Sequence, residues 1–281
     1  MRTRPPLART SVRDALDSAV VALQAAGCET PRLDAEILLA AAMGVSRAAI
    51  VANPTAELEP DHAWQFGEWA RRRRSREPVA YILGSKGFRR IELQVDRRVL
   101  IPRPETEHLV EAALGLPSGA RVVDVGTGSG AVALALKDER PDLEVLATDF
   151  SADALDVARA NARRLAIDVT LLQGDLLGPV TGPLDAVVSN PPYVGEQELD
   201  RLPADVLGQE PDEALFAGGD GLALIRRLIP DAVGRGARLL ALEVGWKQAP
   251  AVAELLVAAG YEETEVIADL AGIDRVVVGR R

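Results

Sequence analysis

The 281-residue sequence predicts an α/β fold: a seven-stranded, mainly parallel sheet preceded by a small helical bundle. Three observations predict it. From residue 120 onward short apolar runs alternate with helical stretches, the pattern left by right-handed crossovers between parallel strands. A glycine-rich turn at 124–130 follows the first of those runs, at the carboxyl end of a strand, where such sheets bind their ligands. Before residue 84 the apolar positions recur at helical spacing instead.

The elements follow in order. Val12, Leu16, Ala19, Val20 and Leu23 give a helix over 9–27 closed by Gly27, and Leu33, Ile37 and Leu38 give one over 31–43 closed by Gly44. A short helix follows Ser46, and another over 59–75 carries Trp64, Phe66 and Trp69. These make a helical domain, 1–83. Gly84 and Gly87 break the helical pattern, and Phe88, Ile91, Leu93, Val95 and Val99-Leu100-Ile101 alternate with polar residues, so 84–101 reads as a β-hairpin linker. Pro102 and Pro104 open a helix through about residue 114, the start of a domain running 102–281. Strands are expected at 121–125, 144–148, 169–172, 185–189, 238–244, 261–267 and 274–279, with helices at 130–139, 151–165, 219–233 and 247–259. Only a few residues separate the last two strands, so they run antiparallel.

Composition excludes several classes. With 48% hydrophobic and 26% charged residues, this is an ordinary globular composition. No apolar run approaches the 18 or so residues of a membrane span, and no signal peptide is evident behind Arg2 and Arg4, where Asp14 and Asp17 intervene. The single cysteine, Cys28, excludes an internal disulfide and fits a cytoplasmic setting. With His62 and His108 it is too few ligands for a usual structural zinc site, and the two histidines read as ordinary surface or half-buried residues. The net charge of −10 argues against a dedicated nucleic-acid binder. It is unevenly spread: residues 1–101 hold 16 basic and 12 acidic side chains, net +4, and residues 102–281 hold 16 and 30, net −14. Arg71–Arg74 reads as a solvated helix face or a partner contact.

Three motifs end strands of the sheet. In Asp124-Val125-Gly126-Thr127-Gly128-Ser129-Gly130 the glycines permit a tight turn and close ligand approach, and the following helix points its free N–H groups at the same spot. That pattern suits a nucleotide or nucleoside cofactor, but also fits a loose dinucleotide signature or a plain tight turn. Asp149, ending the second strand, is placed to accept both ribose hydroxyls; the alternative is a helix N-cap, for which Ser151 is also available. In Ser189-Asn190-Pro191-Pro192-Tyr193 the prolines lock φ and bias their predecessors away from the α region. The Asn190 amide oxygen and Pro191 carbonyl become fixed acceptors for a planar NH₂ group, beside the Tyr193 ring.

Together these residues resemble the class I S-adenosylmethionine-dependent methyltransferases, whose Rossmann-like seven-stranded fold matches the predicted order. The Asn-Pro-Pro-Tyr tetrapeptide marks members that methylate planar amino nitrogen, and alone leaves open an adenine or cytosine amine or a glutamine amide. The rest of the chain resembles one family, the release-factor glutamine methyltransferases. The resemblance is carried by Glu77–Gly84 with Phe88, by Ile101-Pro102-Arg103-Pro104-Glu105-Thr106-Glu107, by Glu210–Leu222, by Leu242-Glu243-Val244-Gly245 and by Asp269–Arg275.

It implies transfer of a methyl group from S-adenosylmethionine to the side-chain amide of the glutamine in the Gly-Gly-Gln motif of peptide-chain release factors, with no metal. It further implies that Gly126, Thr127, Gly128, Ser129, Gly130, Asp149 and Asn190 hold the cofactor, with Phe150, Asp175 and Leu176 flanking the adenine. Asn190, Pro191, Pro192 and Tyr193 would act on the substrate, with Arg103 and Glu105 beside them. The family more often has an aromatic residue at Leu176, and Glu-Val at Asp205-Val206, to which no role attaches. An N6-adenine nucleic-acid methyltransferase is the nearest rival, and the −14 of residues 102–281 disfavours it. The same charge suits a basic protein substrate, since a Gly-Gly-Gln region works against ribosomal RNA.

Overall fold

The computed structural model describes residues 10–195 and 205–281. They form two compact units, one drawn from 10–84 and 205–209, the other from 85–195 and 210–281. Among the described residues no helix is long and apolar enough to cross a membrane.

The first unit is a helical bundle: α1 (Val12–Ala25), α2 (Pro31–Met43), α3 (Arg47–Ala52), α4 (Pro60–Arg74) and α5 (Val79–Leu83). Ser11 caps α1 by accepting from the Asp14 amide, so the helix starts at 12 and not at 9, a position outside the described residues. Ser46 caps α3 likewise, and Gly44 and Gly84 end α2 and α5 in the left-handed conformation. The predicted pattern omits α5, which is barely more than one turn. Leu16, Leu23, Leu38, Leu39, Ile50, Phe66 and Ile82 fill the core.

The four-arginine run is not a uniform solvated face. Arg71 and Arg74 are exposed, but Arg73 is only 3% exposed. Its Nε donates to Asp34 at 2.7 Å and its Nη2 binds Asp205, which also pairs with Arg76. Asp205, without a role in the sequence reading, thus fastens 205–209 within this unit. Arg72 reaches Glu77 at 2.7 Å.

In the second unit β1 (Ser85–Phe88) and β2 (Ile91–Gln94) form an antiparallel hairpin. It is shorter than the predicted 84–101, because the Asn161 side chain takes over the Gln94 backbone: Gln94 N–H donates to Asn161 Oδ1 at 2.7 Å, and Asn161 Nδ2 donates to Gln94 O at 3.0 Å. Val95, Val99 and Ile101 are still buried, as irregular chain. The predicted 102–114 helix is split into a 3₁₀ turn, Pro104–Thr106, and α6 (Glu107–Leu114).

The sheet strands are β3 (Arg121–Val125), β4 (Glu144–Asp149), β5 (Thr170–Gln173), β6 (Ala186–Ser189), β7 (Leu239–Glu243), β8 (Glu263–Ala268) and β9 (Asp274–Arg280). Their order is β5-β4-β3-β6-β7-β9-β8, parallel through β7, with β9 antiparallel to both its neighbours. Helices α7 (Ala131–Glu139), α8 (Ala152–Leu165), α9 (Asp212–Leu215), α10 (Ala223–Gly234) and α11 (Ala249–Ala258) connect them. The strands β3, β6 and β7 are buried along nearly their whole length, as expected of parallel strands covered on both faces. Helix α10 begins at 223, four residues later than predicted, because Gly218, Gly219 and Gly221 have positive φ and turn the chain first. The four-residue α9 was not anticipated.

The chain order reverses at β3 and β6: β4 and β5 add on one side, β6 and β7 on the other. The crevice beyond the carboxyl ends of β3 and β6 is therefore the topological switch point.

Candidate active site

A cavity of about 570 Å³ opens at that crevice, within the size range of small-molecule sites. The glycine turn forms its floor. Gly126 and Thr127 N–H both donate to Thr148 O, at 2.9 and 3.0 Å, which ties the turn to β4. Gly128 and Gly130 have φ of 55° and 84°, and a Cβ on Gly130 would meet Leu134 at 2.9 Å. The turn therefore needs glycine for conformation and for packing on α7.

Asp149 ends β4. Its Oδ2 accepts the Gly128 N–H at 2.8 Å and its Oδ1 the Ser151 N–H at 2.9 Å. Both oxygens are thus held by backbone donors, each with a lone pair remaining. Ser151, not Asp149, caps α8 through the Ala154 N–H. Burial pushes the Asp149 carboxyl above its ordinary value, against the pull of those N–H groups. Gly174 N–H donates to Asp149 O at 3.0 Å, which brings Asp175 and Leu176 to the same wall. Phe150 lines the cavity with 76% of its surface exposed, and Asp175 pairs with Arg227.

Asn190, Pro191 and Pro192 also line the cavity. Asn190 Nδ2 donates to Thr106 Oγ1 at 3.3 Å, which commits the nitrogen and leaves Oδ1 to face the other way. A Cβ on Gly126 would sit 3.8 Å from the Asn190 carbonyl oxygen, so the glycine turn and the tetrapeptide are in contact. The Gln248 side chain staples the segment from behind, donating to Tyr193 O at 2.9 Å and Asp220 O at 3.2 Å. Gly221, with φ of 79°, is required here: a Cβ would lie 2.2 Å from Tyr193 O.

Four residues singled out in the sequence do not line the cavity. Gly130 lies behind the turn as the α7 cap. Tyr193 directs its hydroxyl at Glu243 Oε1, 3.5 Å away. Arg103 donates to Glu210 Oε1 at 2.5 Å, joining the 101–107 segment to the chain before α9, and Glu105 is half-buried beside Thr106. The histidines are half-buried, His108 with Nδ1 3.0 Å from Glu111.

Three buried groups to which the motifs attach no role also stand at or beside the site. Asp124 Oδ2 accepts from Thr127 Oγ1 at 2.6 Å and from Ala133 N–H at 3.2 Å, and burial pushes its carboxyl up to about 7. Thr106 orients Asn190, and Glu243 faces Tyr193. All three lie within the motifs named above, but their contacts are long-range or set by burial.

Residues 14–84 match the PrmC N-terminal domain, and residues 105–231 the methyltransferase small domain. The chain is 45% identical over 280 residues to the release factor glutamine methyltransferase of Moorella thermoacetica, covering 96% of this chain and 99% of that one. It is 42% identical over 272 residues to that of Escherichia coli K12, covering 94% and 97%. The chain belongs to the release factor glutamine methyltransferase family.

Two solved structures share the fold at low identity. The hMettl16 catalytic domain in complex with MAT2A 3′UTR hairpin 6 has a TM-score of 0.55 at 18% identity, covering 67% of this chain and 74% of that one. A methyltransferase from Pyrococcus furiosus has a TM-score of 0.52 at 19% identity, covering 67% and 87%. The chain is a methyltransferase of the S-adenosylmethionine-dependent class, and its cavity fits that cofactor. The carboxylate of Asp149 has lone pairs for vicinal hydroxyls, the glycine turn allows close approach, and the buried Asp124 carboxyl suits a cationic ligand.

Proposed function

We propose that this chain transfers a methyl group from S-adenosylmethionine to the side-chain amide nitrogen (N5) of the glutamine in the Gly-Gly-Gln motif of peptide-chain release factors, and so modulates translation termination. One observation carries the reading: Asn190 and the rigid Pro191 line the cavity side by side, and the Asn190 Nδ2 bond to Thr106 leaves its amide oxygen as an acceptor to offer. Two fixed acceptors match the two hydrogens of a carboxamide nitrogen.

When bound, S-adenosylmethionine supplies an electrophilic methyl group on a sulfonium sulfur. A carboxamide nitrogen is a weak nucleophile, because its lone pair is delocalised into the carbonyl. The chain therefore acts mainly by positioning, which is worth about 7–11 kcal/mol when a reaction is well oriented. Asn190 Oδ1 and the Pro191 carbonyl accept the two N–H groups, hold the nitrogen lone pair toward the methyl group and stabilise the positive charge that develops on nitrogen. With the cofactor held there, the substrate nitrogen would take the methyl group as sulfur leaves with the bonding electron pair. The nitrogen proton, now acidic, leaves after transfer, so no strong base is needed beforehand. Glycines 126 and 128 with Thr127 and Ser129 would cradle the cofactor, Asp149 would take its ribose hydroxyls, and Phe150, Asp175 and Leu176 would flank its adenine. Gly130 secures the turn, and Tyr193, Arg103 and Glu105 flank the cavity-lining Pro192, Pro102 and Thr106.

Incubation with labelled S-adenosylmethionine and, in separate reactions, release factor or DNA tests the reading. Label on the Gly-Gly-Gln glutamine, located by peptide mass spectrometry, supports it; label on adenine of the DNA overturns it. Asp149→Ala is expected to weaken cofactor binding by about 10–100-fold, the loss of hydrogen bonds to a charged acceptor. Unchanged affinity by calorimetry would remove Asp149 from the ribose role.

A further inference from the structure

Asn161, on α8, has no surface exposed. A carboxamide buried so completely needs a partner for each of its groups. Its oxygen accepts the Gln94 N–H at 2.7 Å, and its nitrogen donates one hydrogen to Gln94 O at 3.0 Å and the other to Ser129 O at 2.9 Å. Reversing the amide would set its oxygen against two carbonyls and its NH₂ against an N–H, so the three partners fix its orientation. Ser129 belongs to the glycine turn and lines the cavity, whereas Gln94 ends the hairpin and does not. The regular helical donor to Ser129 O, the Ala133 N–H four residues on, goes to Asp124 Oδ2 at 3.2 Å, while one residue later Leu134 N–H makes the regular bond to Gly130 O at 2.9 Å. Asp124 and Asn161 thus stand in for a bond that a regular helix would close on itself. The turn is held from two sides by side chains, at Thr127 by Asp124 and at Ser129 by Asn161. Arg164, three residues beyond Asn161 on α8, binds Glu92 O and secures the hairpin on the same helix.

We propose that Asn161 is a positioning residue for the cofactor: through the Ser129 carbonyl it sets the turn at 126–130, and through Gln94 it couples that turn to the β1–β2 hairpin. The inference rests on the cofactor site described above. One carboxamide bonds both segments, so neither can shift without breaking a bond to the other or leaving a buried polar group unpaired, which is costly. A turn ordered by bound cofactor therefore holds Asn161, and Asn161 in turn holds the Gln94 N–H, a group outside the cavity wall.

Calorimetry with S-adenosylmethionine and hydrogen exchange at the Gln94 amide, both on the full chain, test it. In wild type, saturating S-adenosylmethionine is expected to slow exchange at that amide by about 10-fold or more. Asn161→Asp keeps the size of the side chain and the acceptor for the Gln94 N–H, but has no N–H to give. It is expected to raise the cofactor Kd by about 10–100-fold, the range for a buried acceptor left without its donor, and to abolish the cofactor-dependent slowing at Gln94. In methylation of release factor the KM for cofactor should rise with that Kd, while kcat at saturating cofactor and KM for release factor stay within about threefold of wild type. A role in packing alone would produce neither this split nor the link between cofactor and Gln94. If Asn161→Asp fails to fold, the wild-type exchange measurement decides: a Gln94 amide indifferent to cofactor overturns the proposal. An Asn161→Asp protein with wild-type cofactor affinity overturns it too. A wild type that does not bind S-adenosylmethionine would bring down the cofactor site and this inference with it. A wild type that binds it but leaves the Gly-Gly-Gln glutamine unmodified would bring down the proposed substrate alone, and calorimetry and exchange would still decide the role of Asn161.

Discussion

Replacing Asn190 with alanine is expected to lower kcat for glutamine methylation by about 10³-fold or more, beyond what loss of one preorganised polar group costs in other active sites. Two effects combine. The acceptor that orients one substrate N–H is removed, and so is the group that stabilises charge on nitrogen as the new bond forms. Cofactor affinity is expected to change by less than about threefold, because the turn at 126–130 is tied to Thr148, and Asp149 to Gly128 and Ser151, by bonds that do not involve the Asn190 side chain. The measurement is single-turnover transfer to release factor, with cofactor Kd by calorimetry. Near-normal turnover would remove the tetrapeptide from the chemistry. A large loss of cofactor affinity would make Asn190 a cofactor residue first.

The tetrapeptide is rigid because its backbone is held from several directions. Pro191 and Pro192 lock φ locally, but Gln248, on the approach to α11, holds the Tyr193 carbonyl from 55 residues away. The first device is legible in the sequence; the second is not. The same division runs through the fold. Parallel strands such as β3, β6 and β7 are continuous apolar runs because helices cover both faces, and their positions follow from that alone. The hairpin does not stop where its alternation stops. It stops at Gln94, where Asn161, 67 residues on, supplies a side-chain substitute for the next strand. Glu243 shows the limit most clearly. As the polar end of an apolar run it looks like a strand terminus, and only the fold brings it within 3.5 Å of the Tyr193 hydroxyl.

Arg73→Met is expected to destabilise the helical unit by about 3–5 kcal/mol, the cost of removing one partner from a buried ion pair. Helix periodicity reads four consecutive arginines as a solvated stripe, but a helix turns by 100° per residue, so one of any four neighbours points inward. Here that residue is Arg73, and it meets a buried aspartate 39 residues upstream. Methionine keeps the apolar stem and removes the charge. Asp34 is then left buried with the Thr30 hydroxyl at 2.8 Å, whereas Asp205 keeps Arg76 and some exposure to water. The loss should therefore trace to Asp34. Adding Asp34→Leu to Arg73→Met should restore more than half of it, since an apolar pair replaces an ion pair at little cost. Two of the chain's three tryptophans, Trp64 and Trp69, lie on α4, so their fluorescence during urea unfolding reports on this unit. A loss below about 1 kcal/mol would mean that water reaches Asp34 once the guanidinium is gone. A double variant no more stable than the single one would place the cost at Asp205 instead.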